Sequence, residues 1–303
     1  ALIADDVSNG PRLMRRVAAA KRTTWNVVGE IGPAAAERTL VLLAHHDAAR
    51  SGRIFHQGGQ RLLGDAAPGI VERADTSVPL WWGVLAGPLM VAVGAATGKR
   101  RLTAAGSLIS AGAAATLADI QRSQVVPGAN DNLSAVAVLV AVAEALRERP
   151  VKGVRVVLAS CGAEEVLQGG IHGFAARHLA HMDRERTWVL NLDTVGSPEL
   201  VLLEGEGELV MEDFFDRGWR DLIARVAERE AIPMRRGLRS RASTDSVVPS
   251  RMKIPTACLV SVDENKSPSN YHWPTDTPEN LSYPTVACAA DLAIAVAREL
   301  EPR

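Results

Sequence analysis

The sequence predicts an α/β fold, a three-layer sandwich in which a mixed β-sheet is flanked by helices, with an α-helical hairpin inserted into it. Three observations support this fold class. Two β-rich runs lie near the start, a long uncharged segment follows them, and from Asn130 onwards apolar strands alternate with helices. The 303 residues, 47% hydrophobic and 23% charged, are typical of a globular chain with a substantial core. With a net charge of −1, no nucleic-acid partner is expected.

The individual elements follow from the hydrophobic pattern. Residues 25–31 and 39–44 are β-rich, and the stretch "GPAAAER" between them predicts a hairpin. The remaining strands are expected at 154–160, 187–193 and 256–262, and the helices at 134–149, 169–182, 214–230 and 285–301. Strands that alternate with helices are typical of parallel pairing, so the initial hairpin makes the sheet mixed.

An insertion, residues 48–125, interrupts this pattern. Residues 78–98 and 102–118 carry no charge, and "KRR" separates them. The first segment is long enough to cross a bilayer core of roughly 30 Å, and the Gly and Ala in both segments let two helices approach closely. Two interpretations stay open for residues 78–118: contact with a membrane, or a soluble hairpin that packs on the rest of the chain or forms a homodimer.

The location of the protein depends on that choice. A spanning hairpin would place its basic turn in the cytoplasm and the rest of the chain outside it, as a membrane-associated protein. That topology requires an export segment, and none is visible in a chain that begins with Ala rather than Met. The alternative is a soluble cytoplasmic protein. Cys161, Cys258 and Cys288 are expected to be buried thiols and do not decide the compartment.

Polar residues cluster where the predicted strands end. They are His45, His46 and Asp47 after the second strand, Glu164 and Glu165 after 154–160, Asp193 at the end of 187–193, and His272 beyond the last strand. Sites in α/β sheets form outside the carboxyl ends of the strands. Asp131 lies in "PGANDN". Nitrogen and oxygen ligands without cysteine favour zinc or another first-row divalent ion, and a carboxylate shared between two ions is a common way to build a two-metal site.

Five motifs carry a resemblance to a known family. In chain order they are "AHHDA", "PGANDNLSA", "GAEE", "NLDTVG" and "YHWPTDTPENL". Together they resemble the co-catalytic (dinuclear) zinc aminopeptidases, a family that includes bacterial leucyl aminopeptidases, glutamate carboxypeptidase-type enzymes and glutaminyl cyclases. The resemblance implies a catalytic domain formed by residues 1–47 and 126–303. It also implies two Zn²⁺ per chain, with other first-row metals as alternatives.

The same resemblance assigns roles to residues. The implied metal ligands are His45, Asp131, Glu165, Asp193 and His272, with Asp131 bridging the two ions and a cis peptide between Asp131 and Asn132. Glu164 corresponds to the general base for a metal-bridged water, and Tyr271 to a phenol that stabilises the oxyanion. Asp245, in "STDS", is implied to bind substrate.

The His-x-Asp spacing of the family distinguishes the two neighbouring histidines. Asp47 points to the same side of the strand as His45, so its carboxylate is expected to accept the imidazole N–H that does not bind metal. His46 then faces the other way, toward the start of the insertion, and is expected to be structural.

The implied function is an aminopeptidase that removes N-terminal residues from peptides. One alternative is a carboxypeptidase or dipeptidase, in which the arginines of "MRRGLRSRAS" would hold a substrate carboxylate. A glutaminyl cyclase with one zinc is another. An alternative of a different class is a catalytically silent, membrane-associated interaction protein, which the retention of every ligand disfavours.

Overall fold

A six-stranded mixed sheet forms the centre of the protein. The computed structural model describes residues 2–77 and 79–302, without the side chain of Leu63. The strands are β1 (Val27–Ile31), β2 (Arg38–His45), β3 (Val154–Cys161), β4 (Thr187–Leu192), β5 (Glu199–Leu203), β6 (Gly205–Glu206), β7 (Glu212–Asp213), β8 (Arg239–Ser240) and β9 (Thr256–Val262). The central order is β1-β3-β2-β4-β9-β5, and a small second sheet has the order β7-β6-β8. Strands β3, β2, β4 and β9 are parallel, while β1 and β5 are antiparallel edges.

Helices cover both faces of this sheet and confirm the three-layer sandwich. The helices are α1 (Leu2–Val7), α2 (Leu13–Ala18), α3 (Gly58–Ala66), α4 (Pro68–Arg73), α5 (Trp82–Ala96), α6 (Arg100–Arg122), α7 (Ser134–Glu148), α8 (Gly169–Arg177), α9 (Arg217–Arg229), α10 (Val247–Arg251) and α11 (Tyr283–Glu299). Helices α7, α9 and α11 bury side chains such as Val138, Ile223 and Leu292 in one core. Helices α8 and α10 bury Phe174 and Val247 in a second core on the other face.

The predicted hairpin between the first two strands is wrong. Strand β3 lies between β1 and β2, with Val27 opposite Ser160 in an antiparallel pair. Leu42 of β2 lies opposite Leu158 on one side and Leu190 on the other, both in parallel register. The cause is burial: β2 is apolar on both faces and takes a central place, whereas the partly exposed β1 suits an edge.

The insertion contains the predicted hairpin together with short helices that the sequence did not reveal. Its ends meet where Arg50 bridges Val125, and a 3₁₀ turn at Arg53–Phe55 precedes α3 and α4. Helices α5 and α6 form the hairpin at the predicted positions, although Val78, the first residue of the predicted segment, lies outside the described residues. The two helices touch at glycines, since a Cβ on Gly94 would come within 2.6 Å of the Thr103 backbone nitrogen.

Candidate metal centre

The parallel strands bring the predicted ligands to one edge of the sheet. His45 is the last residue of β2, and Asp193 directly follows β4. Glu164 and Glu165 lie in the loop after β3, and His272 lies in the loop after β9. These strands are parallel neighbours, so their carboxyl ends meet, as the sequence predicted.

Asp131 lies at the centre of the cluster. It precedes α7, and its peptide bond with Asn132 is cis, as the resemblance implied. One carboxylate oxygen lies 3.1 Å from His45 Nε2 and the other lies 3.0 Å from His272 Nε2. Buried Asp276 fixes this position by accepting the backbone N–H groups of Asn130 (2.6 Å) and Asp131 (3.1 Å). A carboxylate between two imidazoles is the arrangement expected of a ligand shared by two ions.

Two groups of ligand atoms flank that carboxylate. His45, Asp131 and Asp193 form one, and Asp131, Glu165 and His272 form the other, with the candidate ligand atoms of each within 4.8 Å of one another. His272 Nε2 lies 3.2 Å from Glu165 Oε2, and His45 Nε2 lies 4.0 Å from Asp193 Oδ2. His45, Glu164 and Glu165 form a third such group, so Glu164 lies at the same centre.

Asp47 supports the cluster in a different way from the one expected. Its backbone carbonyl lies 3.1 Å from His45 Nδ1, while carboxylate oxygen Oδ1 lies 3.7 Å from the same nitrogen, beyond hydrogen-bond distance. The carboxylate instead accepts the backbone N–H groups of Glu164 (3.0 Å) and Glu165 (3.2 Å). Asp47 therefore fixes both the His45 ring and the loop that carries the two glutamates.

His46 turns away from the cluster, as strand alternation predicted. Its side chain is exposed, and Nδ1 lies 2.8 Å from the Ser160 hydroxyl on β3. The expected contact with the start of the insertion is therefore replaced by a contact with the neighbouring strand.

The loop that carries Glu164 is held by a residue that the sequence did not single out. Gln168 donates from Nε2 to Glu164 Oε1 (2.8 Å) and to the Ser243 carbonyl (2.9 Å). Ala163, Leu167 and Gln168 all have positive φ, a conformation that is uncommon outside glycine. The glutamine lies in "GAEEVLQGG", but nothing in its spacing distinguishes it from a surface residue.

The cluster carries an excess of buried negative charge. Burial raises the pKa of Glu164 well above its ordinary value and that of Asp193 to about 7. Burial acts the same way on Asp131, but the two adjacent imidazoles outweigh it and lower the pKa of that carboxyl. Although burial opposes it, Glu165 and Asp131 raise the pKa of His272 to about 10. The protons that this cluster retains are those that a bound cation displaces.

The residues fit a divalent cation. Glu165 Oε1 and both ring nitrogens of His272 are buried and form no hydrogen bond with another described residue. His272 Nε2 is nevertheless close to two carboxylate oxygens, as expected of ligand atoms that converge on an ion rather than on each other. Buried carboxylates and imidazoles without a thiolate suit zinc.

A cavity opens beside this cluster. Its inner wall contains His45, Asp131, Glu164, Glu165, Asp193, Tyr271 and His272. The Tyr271 ring is stacked on the His272 imidazole with centroids 3.9 Å apart. Much of the remaining wall is apolar, formed by Leu203, Leu238, Val260, Val262 and, from the insertion, Ile54, Phe55, Leu80 and Trp81. The insertion's part in this wall was not visible in the sequence.

Asp245 lies behind the cavity rather than in its wall. Its side chain is 1% exposed, and neither carboxylate oxygen has a hydrogen-bond partner among the described residues. Burial raises its pKa to about 7. Its neighbours Ser243 and Thr244 line the cavity, and the contact between Asp245 and substrate stays a prediction.

Comparison with known proteins agrees with this geometry. The model of Peptidase family M28 matches residues 114–297, well over half of the chain. The chain belongs to peptidase family M28. The matched region contains all of the proposed metal ligands except His45, which lies at the end of β2, before the matched region begins. No curated protein matches the chain significantly.

Solved structures show the same fold at low sequence identity. The chain superimposes on LapA aminopeptidase of Legionella pneumophila with a TM-score of 0.57 and 13% identity, over 92% of this chain and 54% of that one. For BSAP, a zinc aminopeptidase from Bacillus subtilis, the TM-score is 0.54 and the identity 18%, over 92% of this chain and 50% of that one. For a glutaminyl cyclase of Bacteroides thetaiotaomicron the TM-score is 0.55 and the identity 16%, over 90% of this chain and 76% of that one. This M28 chain thus spans about half the length of the two aminopeptidases.

Proposed function

We propose that the protein is a zinc exopeptidase, an aminopeptidase that removes N-terminal residues from peptides. The observation that carries the proposal is the pair of ligand groups sharing Asp131, with Glu164 in the wall of the adjoining cavity. Membership of Peptidase family M28 and the aminopeptidase folds support it. We propose two zinc ions per chain, held by His45, Asp131 and Asp193 and by Asp131, Glu165 and His272.

The chain's own residues supply acid–base chemistry. Zinc, when bound, makes water more acidic and polarises a carbonyl group. Glu164, with its orientation fixed by Gln168, accepts the proton of the attacking water and returns it to the leaving amine. Burial raises the pKa of Tyr271 well above its ordinary value, so the phenol stays protonated and can donate a hydrogen bond to the developing oxyanion.

Most of the arginine stretch is engaged in contacts within the chain, although Arg239 and Arg241 also line the cavity. Three of its four arginines are paired with carboxylates: Arg235 with Glu199 (3.1 Å), Arg236 with Asp221 (2.6 Å) and Arg239 with Asp213 (2.8 Å). The fourth, Arg241, lies over the ring of Trp82. The acidic side of the cavity instead suits the free α-ammonium group that an aminopeptidase substrate carries.

A substrate panel tests this proposal. We expect the zinc-loaded protein to hydrolyse aminoacyl anilides with leucyl or phenylalanyl groups at least tenfold faster than glutamyl or lysyl ones, because the cavity wall is largely apolar. Chelation should abolish hydrolysis and zinc should restore it. Faster hydrolysis of N-blocked dipeptides than of the anilides would instead identify a carboxypeptidase, and cyclisation of N-terminal glutamine with one zinc per chain would identify a glutaminyl cyclase.

We further propose that the α5–α6 hairpin anchors the protein to a membrane. Helix α6 is long and apolar enough to cross one, and only 6% of its apolar window is buried. Helix α5 has no charged residue and buries only Gly87 and Gly94. A helix that is apolar all round is normally covered by a core or by lipid. The second candidate span, Ala129–Glu148, contains α7, whose apolar face packs in the domain core.

Flotation with liposomes tests the anchor. We expect the wild-type protein to float with vesicles, and a Leu89→Glu/Leu108→Glu variant to remain in solution, since both side chains are exposed on the hairpin (65% and 76%). Leu13→Glu, at an exposed site outside the hairpin, is the matched control. A wild-type protein that is monodisperse in plain buffer and does not float would contradict the proposal. A dimer that the double substitution dissociates would assign the face to a second copy.

A further inference from the structure

The insertion contacts the loop that carries His272. Phe55, at the end of the 3₁₀ turn, packs edge-on against the His272 ring with centroids 4.5 Å apart, and against Tyr271 at 5.8 Å. Two residues later, the Gln57 amide donates to the Pro268 carbonyl (2.7 Å) and accepts from the Asn270 backbone N–H (3.2 Å). Phe55 and Gln57, both in the insertion, therefore contact the segment 268–272 that carries His272.

His272 lacks the support that fixes most metal-binding histidines. A ligating imidazole usually donates its other ring N–H to a carboxylate or carbonyl, as His45 Nδ1 can to the Asp47 carbonyl at 3.1 Å. His272 Nδ1 is buried and has no such partner among the described residues. Its backbone also has a positive φ of 50°. The ring is instead held between the stacked Tyr271 and the edge of Phe55.

The 3₁₀ turn is itself fixed on the base of the hairpin. The Arg53 backbone N–H donates to Asp119 near the end of α6 (2.8 Å), and the Ser51 N–H donates to the Gln124 carbonyl (2.9 Å). Gly52 lies against Ile120, since a Cβ there would come within 2.6 Å of that side chain. A continuous set of contacts thus runs from α6 through the turn to His272.

We propose that the insertion is a working part of the metal centre, with Phe55 and Gln57 as positioning residues that orient His272. The inference rests on the proposed function for the role of His272 as a zinc ligand. Loss of the Phe55 ring leaves the imidazole free to rotate about a side chain with no hydrogen bond at Nδ1. Loss of Gln57 removes the hydrogen bonds that hold Pro268 and Asn270, in the loop just before His272. Either change weakens the site containing Glu165 and His272, while the site containing His45 and Asp193 is retained.

Zinc affinity of the metal-free protein tests this inference, measured by competition with a chromophoric chelator. We expect Phe55→Ala and Gln57→Ala each to lower the affinity for one of the two zinc ions by about 10- to 100-fold, the range typical of residues that orient metal ligands. Phe55→Leu, which keeps apolar volume beside the ring, should recover most of the loss. Leu62→Ala, at an exposed position on α3 of the same insertion, is the control and should leave both affinities unchanged.

Hydrogen exchange gives a readout that is independent of metal and of activity. Amides of residues 269–273 should exchange faster in metal-free Phe55→Ala than in wild type, while those of β2 and β4 stay protected. Unchanged zinc affinities together with unchanged exchange in the Phe55→Ala/Gln57→Ala variant would overturn the inference. Because both measurements need no substrate, failure of the proposed peptidase activity would leave them interpretable and would be seen separately in the anilide panel.

Discussion

Replacing Glu164 by Gln should lower kcat for peptide hydrolysis by about 10²- to 10⁴-fold, the usual contribution of a positioned general base. The amide keeps the size of the side chain and can still contact Gln168, but it cannot accept the proton of the attacking water. Since Glu164 is assigned no role as a ligand, zinc content and the melting temperature of the loaded protein should change little. The measurement is kcat and KM on an aminoacyl anilide together with metal analysis.

Glu185→Gln is the matched control for this substitution, because it removes the same charge from an exposed residue before β4. It should retain wild-type kinetics. If Glu164→Gln retained full activity with its zinc in place, another residue would have to move the proton and the proposed mechanism would be wrong. If the variant lost zinc as well as activity, Glu164 would be a ligand rather than the base.

Removing the two neighbouring histidines one at a time should produce opposite results. His45→Ala should lower activity by at least about 100-fold and remove zinc, because it deletes an imidazole that lies 3.1 Å from Asp131 at the buried centre. His46→Ala should stay within about threefold of wild type, since it removes only a partly buried contact with the Ser160 hydroxyl, outside the cluster. The measurement is kcat/KM with zinc per chain for each variant.

The two variants control for each other, because they change the same residue type at the last position of β2 and at the position directly after it. Equal loss of activity in both would show that β2 tolerates no change at its end, and the assignment of His45 alone as ligand would lose its support. Addition of excess zinc should not rescue His45→Ala, whereas a purely structural defect would show as a lower melting temperature of the metal-free protein.

Most of the fold was predictable because hydrophobic periodicity reports burial. The continuous apolar runs of β2, β3, β4 and β9 indicate strands covered on both faces, and the structure places all four as parallel neighbours. Pairing was less predictable. The edge position of β1 depends on which strand fills the centre of the sheet, and local sequence between β1 and β2 does not contain that information. Strand β5 was not predicted at all.

Most of the predicted ligands gather because the carboxyl ends of parallel strands meet, so His45, Glu165 and Asp193 needed only a strand end to be located. Asp131 instead lies before α7 and was identified through the family resemblance. Asp245 differs, since it lies in a loop before α10 whose path no strand determines. Gln168, Asp276 and Gln57 were missed because each acts by holding another residue through a hydrogen bond. Ordinary polar residues in loops have the same appearance in a sequence.

The sequence by itself predicted the fold class, because hydrophobic periodicity lies within single elements. Its resemblance to the co-catalytic zinc aminopeptidases implied the residues of the candidate metal centre and the choice between His45 and His46. Tertiary structure decided what depends on contacts between distant segments. It paired β1 with β3, placed Asp245 behind the cavity, and turned the Asp47 carboxylate toward the backbone of Glu164 and Glu165. It also brought Phe55 of the insertion against His272, more than two hundred residues along the chain. Burial of apolar surface favours such a contact, and only the folded chain decides which distant residue is near enough to make it.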